Sequence, residues 1–122
     1  MPFGRIVKLL PGLLVIGALV SCLPKFLYPT QTDLDYAQRQ WPGTEMDNIA
    51  NGMKIYTSAC NSCHGLYRPD VLSAQAWLDT LPEMAQKAKI DLYSKAYEDL
   101  KIYILSVRER MVGDSDNSTG NR

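Results

Sequence analysis

Apolar residues recur at helical spacing in three stretches of the chain, and no stretch alternates as a half-buried strand would. The first predicted helix covers about 47–59, with Ile49, Met53 and Tyr56 on one face. The longest covers about 93–111, and its apolar stripe comprises Tyr93, Ala96, Leu100, Tyr103, Ile104 and Val107. A shorter helix over 73–80 begins at a capping Ser73, turns Ala76 and Trp77 inward and ends at Pro82. The pattern predicts an all-α domain.

Segments without this periodicity flank the three helices. Between 23 and 44 the chain holds Pro24, Pro29, Pro42 and Gly43, which favours an extended tether or a loop wrapped over the domain. Its aromatic residues indicate that part of it packs, and they are Tyr28, Tyr36 and Trp41. Residues 113–122 are small, polar or charged, which predicts a disordered tail.

The first 22 residues have the form of a secretory signal. Arg5 and Lys8 precede an apolar run over 9–20, which is too short to cross about 30 Å of hydrocarbon. Residues 1–21 are therefore predicted to be a signal peptide that sends the protein to the periplasmic side of a bacterial cytoplasmic membrane.

The end of this run suggests how the protein stays at the membrane. Leu19-Val20-Ser21-Cys22 resembles a bacterial lipobox, in which cleavage leaves the cysteine as a lipidated N-terminus. Residues 22–44 would then be a lipid-anchored tether, held by acyl chains on Cys22. Two alternatives stay open: an ordinary signal peptide cut nearby, and an uncleaved signal-anchor.

Length and charge restrict the class of protein. The chain has 122 residues, enough for one small domain, and so small a core usually needs a disulfide, metal or cofactor to supplement it. Its 13 basic and 13 acidic residues leave no net charge, so nothing indicates nucleic-acid binding.

The strongest chemical motif is Cys60-Asn61-Ser62-Cys63-His64, which is typical of covalent haem c attachment. Two thiols at this spacing can each form a thioether with one vinyl group, while the adjacent His64 offers its imidazole to the iron. The alternatives are a thioredoxin-like dithiol and half a zinc site. Zinc would need two further ligands, but the chain has no other histidine, and its remaining cysteine, Cys22, lies in the signal region.

A family resemblance extends the motif on both sides. Gly52-x-x-x-Tyr56-x-x-x-Cys60-x-x-Cys63-His64 resembles the opening of a class I cytochrome c, and Asp99-Leu100-x-x-Tyr103-Ile104 resembles its closing helix. The resemblance implies that residues 45–112 form a small domain whose N- and C-terminal helices pack across one covalently bound haem. Gly52 and Tyr56 should then meet the region around Leu100 and Tyr103.

The sixth iron ligand is expected to be a methionine, since the chain has a single histidine. Met84 lies downstream of the motif, in the segment between helices that supplies the distal methionine in class I cytochromes. Met46 and Met53 precede the motif, and Met111 lies near the tail. The alternative for Met84 is that it fills the core, as methionine often does.

The resemblance also suggests three further residues around the haem. A proline carbonyl accepts a hydrogen bond from the proximal histidine in this family, and Pro69 is the nearest proline after His64. Trp77 and Arg68 are expected to donate to a haem propionate. Core packing is the alternative for Trp77, and a solvated charge is the alternative for Arg68.

These features together predict a mono-haem electron carrier rather than an enzyme. Its partners would be redox proteins, or a larger respiratory or photosynthetic membrane complex, with no small-molecule substrate. Lys87 and Lys89 are placed to help docking if they border the haem edge. The alternative function is a gas sensor or peroxidase-like protein with an open sixth iron site.

Overall fold

A computed structural model describes residues 23–61 and 65–120, and these ranges contain helices and no strand. Four α-helices follow one another: α1 (Gln31–Gln40), α2 (Met46–Ala59), α3 (Ala74–Lys87) and α4 (Lys95–Thr119). Short 3₁₀ turns occupy Lys25–Leu27 and Pro69–Val71. The predicted all-α class is confirmed.

The core is centred on the contact between α2 and α4, which is the most extensive in the described chain. Gly52 lies at this contact, and a Cβ placed on it would come within 2.1 Å of the Asp99 carbonyl oxygen and 2.5 Å of Tyr103 Cβ. The rings of Tyr56 and Tyr103 pack beside it, with centroids 5.7 Å apart. These contacts confirm that Gly52 and Tyr56 meet the Leu100 and Tyr103 region. Only a residue without a side chain allows the two helices to approach so closely at position 52.

A buried carboxylate fastens the same contact. Asp99 on α4 is 1% exposed and accepts hydrogen bonds from Asn48 Nδ2 at 3.0 Å and Asn51 Nδ2 at 2.8 Å on α2. Lys95 Nζ also pairs with it from one turn earlier on α4. Burial raises the pKa of the Asp99 carboxyl, but these hydrogen bonds outweigh burial and bring the pKa below its ordinary value. The carboxylate is thus held ionised between the two helices.

Residues 23–44 include helix α1, which packs on α4, whereas the sequence favoured an extended tether or a loop wrapped over the domain. The Asp33 N–H donates to Thr30 Oγ1 and the Thr30 N–H donates to Asp33 Oδ2, a reciprocal cap that begins α1. Asp33 is fully buried, and Arg110 Nε on α4 donates to its Oδ1 at 2.8 Å. Arg110 also donates to the Phe26 carbonyl at 2.8 Å. An ion pair therefore packs this segment onto α4.

The end of α3 also differs from the prediction. Pro82 was expected to end this helix, but α3 continues through it to Lys87. A proline inside a helix costs about 3 kcal/mol, because it lacks the N–H that would bond one turn back. Here the apolar face of Trp77, Leu81 and Ala85 is buried on both sides of the proline, and this packing keeps the helix continuous.

Helix α4 starts later and ends later than its periodicity indicated. Ser94 caps it by accepting from the Tyr97 N–H, so Tyr93 lies before the helix and is 98% exposed rather than part of the buried stripe. At the other end the helix continues to Thr119, where a disordered tail was predicted from 113. The buried part ends at Met111, and residues 113–119 are exposed.

Candidate functional site

A cavity of about 330 Å³ opens between the end of α2, the segment 65–67 and one face of α3. Most of its walls are apolar, and carbon atoms make up most of the lining surface. Its described lining residues are Tyr56, Ala59, Cys60, Leu66, Tyr67, Trp77, Thr80, Leu81, Glu83, Met84, Lys87, Ala88 and Ile104. The volume and the apolar lining of this cavity are typical of a site for a small molecule or a cofactor.

Cys60, the first thiol of the predicted attachment motif, forms part of the cavity wall. It is the C-terminal cap of α2 and is half-buried. Burial raises the pKa of its thiol above the ordinary value, the opposite of the lowered pKa that a thioredoxin-like dithiol requires. Cys63 and His64 lie outside the described residues, so the structure makes no statement about the other half of the motif.

Met84 lies on the same cavity as Cys60. It was expected in an irregular segment, but it belongs to α3, since that helix continues through Pro82. Thr80, Leu81, Met84 and the C-cap Ala88 follow one another at helical spacing, so one face of α3 forms a wall of the cavity. Met84 is half-buried, which places a soft sulfur at the cavity without sealing it in the core.

Charged and polar residues border the cavity on its solvent side. Lys87 Nζ and Glu83 Oε1 are 2.7 Å apart, and both side chains are about 70% exposed. The hydrogen bond from Lys87 lowers the pKa of the Glu83 carboxyl, so the acid stays ionised at neutral pH. Tyr67 is 49% exposed at another part of the wall. The cavity therefore reaches the surface on one side.

Two of the residues predicted to contact a haem are hydrogen-bonded to each other. The Trp77 indole N–H donates to the Pro69 carbonyl at 2.7 Å. The predicted propionate contact of Trp77 and the predicted histidine contact of Pro69 stay predictions. Trp77 is 1% exposed and packs in the core, the alternative that the sequence left open for it.

Arg68, the other residue predicted to contact a propionate, forms an ion pair with Asp70. Its Nε and a terminal nitrogen each lie 3.0 Å from a carboxylate oxygen of Asp70. The guanidinium carbon lies 5.0 Å from the centre of the Phe26 ring. Arg68 does not line the cavity, and this pairing is close to the solvated charge that was its alternative.

Some wall residues were not recognised from the sequence. Leu66, Tyr67, Leu81 and Ile104 line the cavity, yet only Ile104 belongs to a helical pattern and was assigned to the core. The Tyr56 hydroxyl donates to the Tyr67 carbonyl, and burial, followed by the nearby Cys60, raises the pKa of this phenol. Leu66 and Tyr67 carry one signal, their position directly after the motif.

Comparison with protein-family models, with curated proteins and with solved structures finds no match. Among residues 23–61 and 65–120, no group of three or more His, Cys, Asp or Glu side chains forms a metal cluster. In the same ranges no helix has both the length and the apolar character needed to cross a bilayer. Cys22, the predicted lipidation site, lies outside the described residues.

The described lining residues are of the kinds that a covalently held haem would need. Such a group is held by a thiol and by an iron ligand in a largely apolar cavity that reaches the surface. The cavity is largely apolar, and both Cys60 and Met84 line it.

Proposed function

We propose that this protein is a membrane-tethered mono-haem cytochrome c that transfers single electrons between redox proteins. The observation that carries the proposal is the position of Cys60 and Met84 on one apolar cavity, with Cys60 at the end of α2 where the Cys-x-x-Cys-His sequence begins. These residues are 24 positions apart in the sequence, and two helices bring them to the same site.

The proposal assigns a task to the motif residues and to the residues that line the cavity. Cys60 and Cys63 would hold the haem covalently, and His64 and Met84 would bind its iron. Leu66, Leu81 and Ile104 keep water away from it, as the apolar lining requires. When bound, the haem supplies a one-electron couple, and a thioether ligand raises its potential relative to a second imidazole.

A closed carrier fits the site better than an enzyme with an open sixth position. Peroxide or oxygen chemistry needs an acid–base group beside the iron, and the chain's single histidine belongs to the attachment motif. Glu83, the carboxyl among the described lining residues, is about 70% exposed and forms a surface ion pair with Lys87. The described lining thus includes a methionine thioether and no histidine.

The experiment that tests the proposal compares two methionines in the haem-loaded protein. Met84→Ala should abolish the weak near-infrared band of sulfur-ligated ferric haem, and the potential should fall. Met53→Ala is the matched control, because Met53 is also half-buried but lies on α2 away from the cavity. Its band and potential should stay at the wild-type values. A high-spin ferric spectrum in the wild type would instead favour the open-site alternative.

Membrane tethering is the second part of the proposal, and it depends on Cys22. The described chain begins packing at Leu23 and is fixed to α4 by the Asp33–Arg110 pair, so an acyl anchor at Cys22 would hold the domain directly at the bilayer surface. Cys22→Ser should release the protein from the membrane fraction of its host and remove the acyl mass. Retention of Cys22→Ser in that fraction would contradict lipid anchoring.

A further inference from the structure

The chain between the attachment motif and α3 is held mainly by side chains of the helices around it. Residues 65–72 include a single 3₁₀ turn, and its first residues, Leu66 and Tyr67, form part of the cavity wall. Carbonyl groups at 67, 69 and 72 each accept a hydrogen bond from a side chain. The three donors come from three different helices: Tyr56 on α2, Trp77 on α3 and Arg108 on α4.

The bond from Trp77 is the most strongly determined of the three. Both Trp77 and Pro69 are buried, and the indole N–H lies 2.7 Å from the Pro69 carbonyl oxygen. Without this donor the buried carbonyl would lose the hydrogen bond that the described residues give it, and proteins tolerate such losses poorly. Trp77 also lines the cavity, so one side chain fixes the backbone of the segment and contacts the site.

Tyr56 acts at the other end of the wall. Its ring is 3% exposed and lines the cavity, while its hydroxyl donates to the carbonyl of Tyr67, whose own side chain lines the cavity too. The Arg108 Nε donates to the Leu72 carbonyl at 2.8 Å and closes the far end of the segment. Each donor is rigidly placed by its helix, so the segment has little freedom to shift.

We infer that Tyr56 and Trp77 are positioning residues, which set the cavity wall after the attachment motif by binding the backbone carbonyls of residues 67 and 69. This inference rests on the proposed haem site, and it gives these two side chains a task besides packing. A wall fixed in this way keeps water from the haem and keeps the residues that follow His64 in one arrangement. Both effects tune the potential of a haem.

The test uses the haem-loaded protein with Trp77→Phe and Tyr56→Phe, which remove the donors and keep an aromatic ring. Trp41→Phe and Tyr36→Phe are matched controls, because these two rings pack on each other and neither residue lines the cavity. Hydrogen exchange across residues 65–72 and the reduction potential are measured in all five proteins.

We expect exchange across 65–72 to be about tenfold faster in each of the two donor variants and unchanged in the controls. We also expect the ratio of oxidised to reduced haem at a fixed ambient potential to change by about tenfold, equal to about 59 mV for one electron. Faster exchange with an unchanged potential would overturn the inference, and so would wild-type values for both measurements.

A variant that fails to fold and a protein that fails to bind haem can each be told apart from a failure of the inference itself. If Trp77→Phe fails to fold, Tyr56→Phe decides, since removing one hydroxyl leaves the core volume nearly unchanged. A wild-type protein that never acquires haem would contradict the proposed function itself, whereas haem attachment with unaltered variants contradicts the positioning of the wall alone.

Discussion

The substitution Gly52→Ala adds one methyl group where α2 and α4 meet. The new Cβ would lie 2.1 Å from the Asp99 carbonyl oxygen and 2.5 Å from Tyr103 Cβ, so the helices would have to separate by more than about 1 Å to restore ordinary contacts. Neither neighbour is the end of a flexible side chain. Overpacking of this kind costs about 1–3 kcal/mol, and the rigid neighbours place Gly52→Ala near the upper value.

The intrinsic helix propensity acts in the opposite direction, because alanine stabilises a helix interior by about 1 kcal/mol relative to glycine. The net expectation is a loss of about 2 kcal/mol, or about thirtyfold in the folding equilibrium. Gly113→Ala is the matched control, since Gly113 is also inside a helix but has open space around its Cβ position. That variant should gain about 0.5–1 kcal/mol.

Urea unfolding of the haem-loaded proteins, followed by far-ultraviolet circular dichroism, measures both changes. The two substitutions should shift the urea concentration at the midpoint of unfolding in opposite directions, down for Gly52→Ala and up for Gly113→Ala. If Gly52→Ala raises the midpoint as Gly113→Ala does, the close contact between α2 and α4 is not a feature of the protein.

Three other substitutions test features around this core. Arg110→Ala leaves the buried Asp33 carboxylate unpaired and should cost about 3–5 kcal/mol in urea unfolding; a loss below about 1 kcal/mol would show that the pair does not hold α1. Lys89 adopts a φ of 59° directly after α3, where glycine is favoured, so Lys89→Gly should raise the free energy of unfolding by about 1 kcal/mol, and a decrease would count against that backbone conformation. Because the pKa of Asp99 is lowered on folding, its contribution is complete above the ordinary aspartate pKa of about 4 and is lost as the pH falls below it. The stability gap between wild type and Asp99→Asn should therefore narrow between pH 7 and pH 3, and a gap independent of pH would contradict an ionised Asp99.

The features that the sequence predicted best are those with a strong local pattern. Ile49 and Tyr56, spaced along one helical face, are both buried, and Ser73 caps α3 as its position suggested. Gly52 was predicted to mark a close contact because a glycine inside an otherwise good helix needs a packing reason. In each case the feature could be predicted from residues within one or two helical turns of it.

The features that the sequence did not reveal depend on distant partners. Helix α1 has few apolar residues, and what fixes it is an ion pair between Asp33 and Arg110, which are 77 positions apart. Pro82 is a strong local signal for a helix end, but buried packing of Trp77, Leu81 and Ala85 outweighs it. The local pattern of apolar and polar residues does not predict such long-range contacts.

In the candidate site, too, local sequence motifs identified single residues but not the contacts between distant ones. The attachment motif singled out Cys60, and its position downstream of the motif singled out Met84. Neither says that α3 is continuous or that Cys60 and Met84 line one cavity. Trp77 and Arg68 were assigned to propionates because an N–H or a guanidinium suits a carboxylate. In the described chain Trp77 donates to the Pro69 carbonyl and Arg68 pairs with Asp70, two partners that lie close by in sequence.

The most direct test of the central claim is the mass of the intact protein after expression with the machinery that attaches haem c. Wild type should carry the mass of one haem that survives denaturation, and Cys60→Ala with Cys63→Ala should carry none. The account predicts this covalent mass on a single protein chain. Wild-type protein that has the mass of the polypeptide alone under these conditions would contradict it.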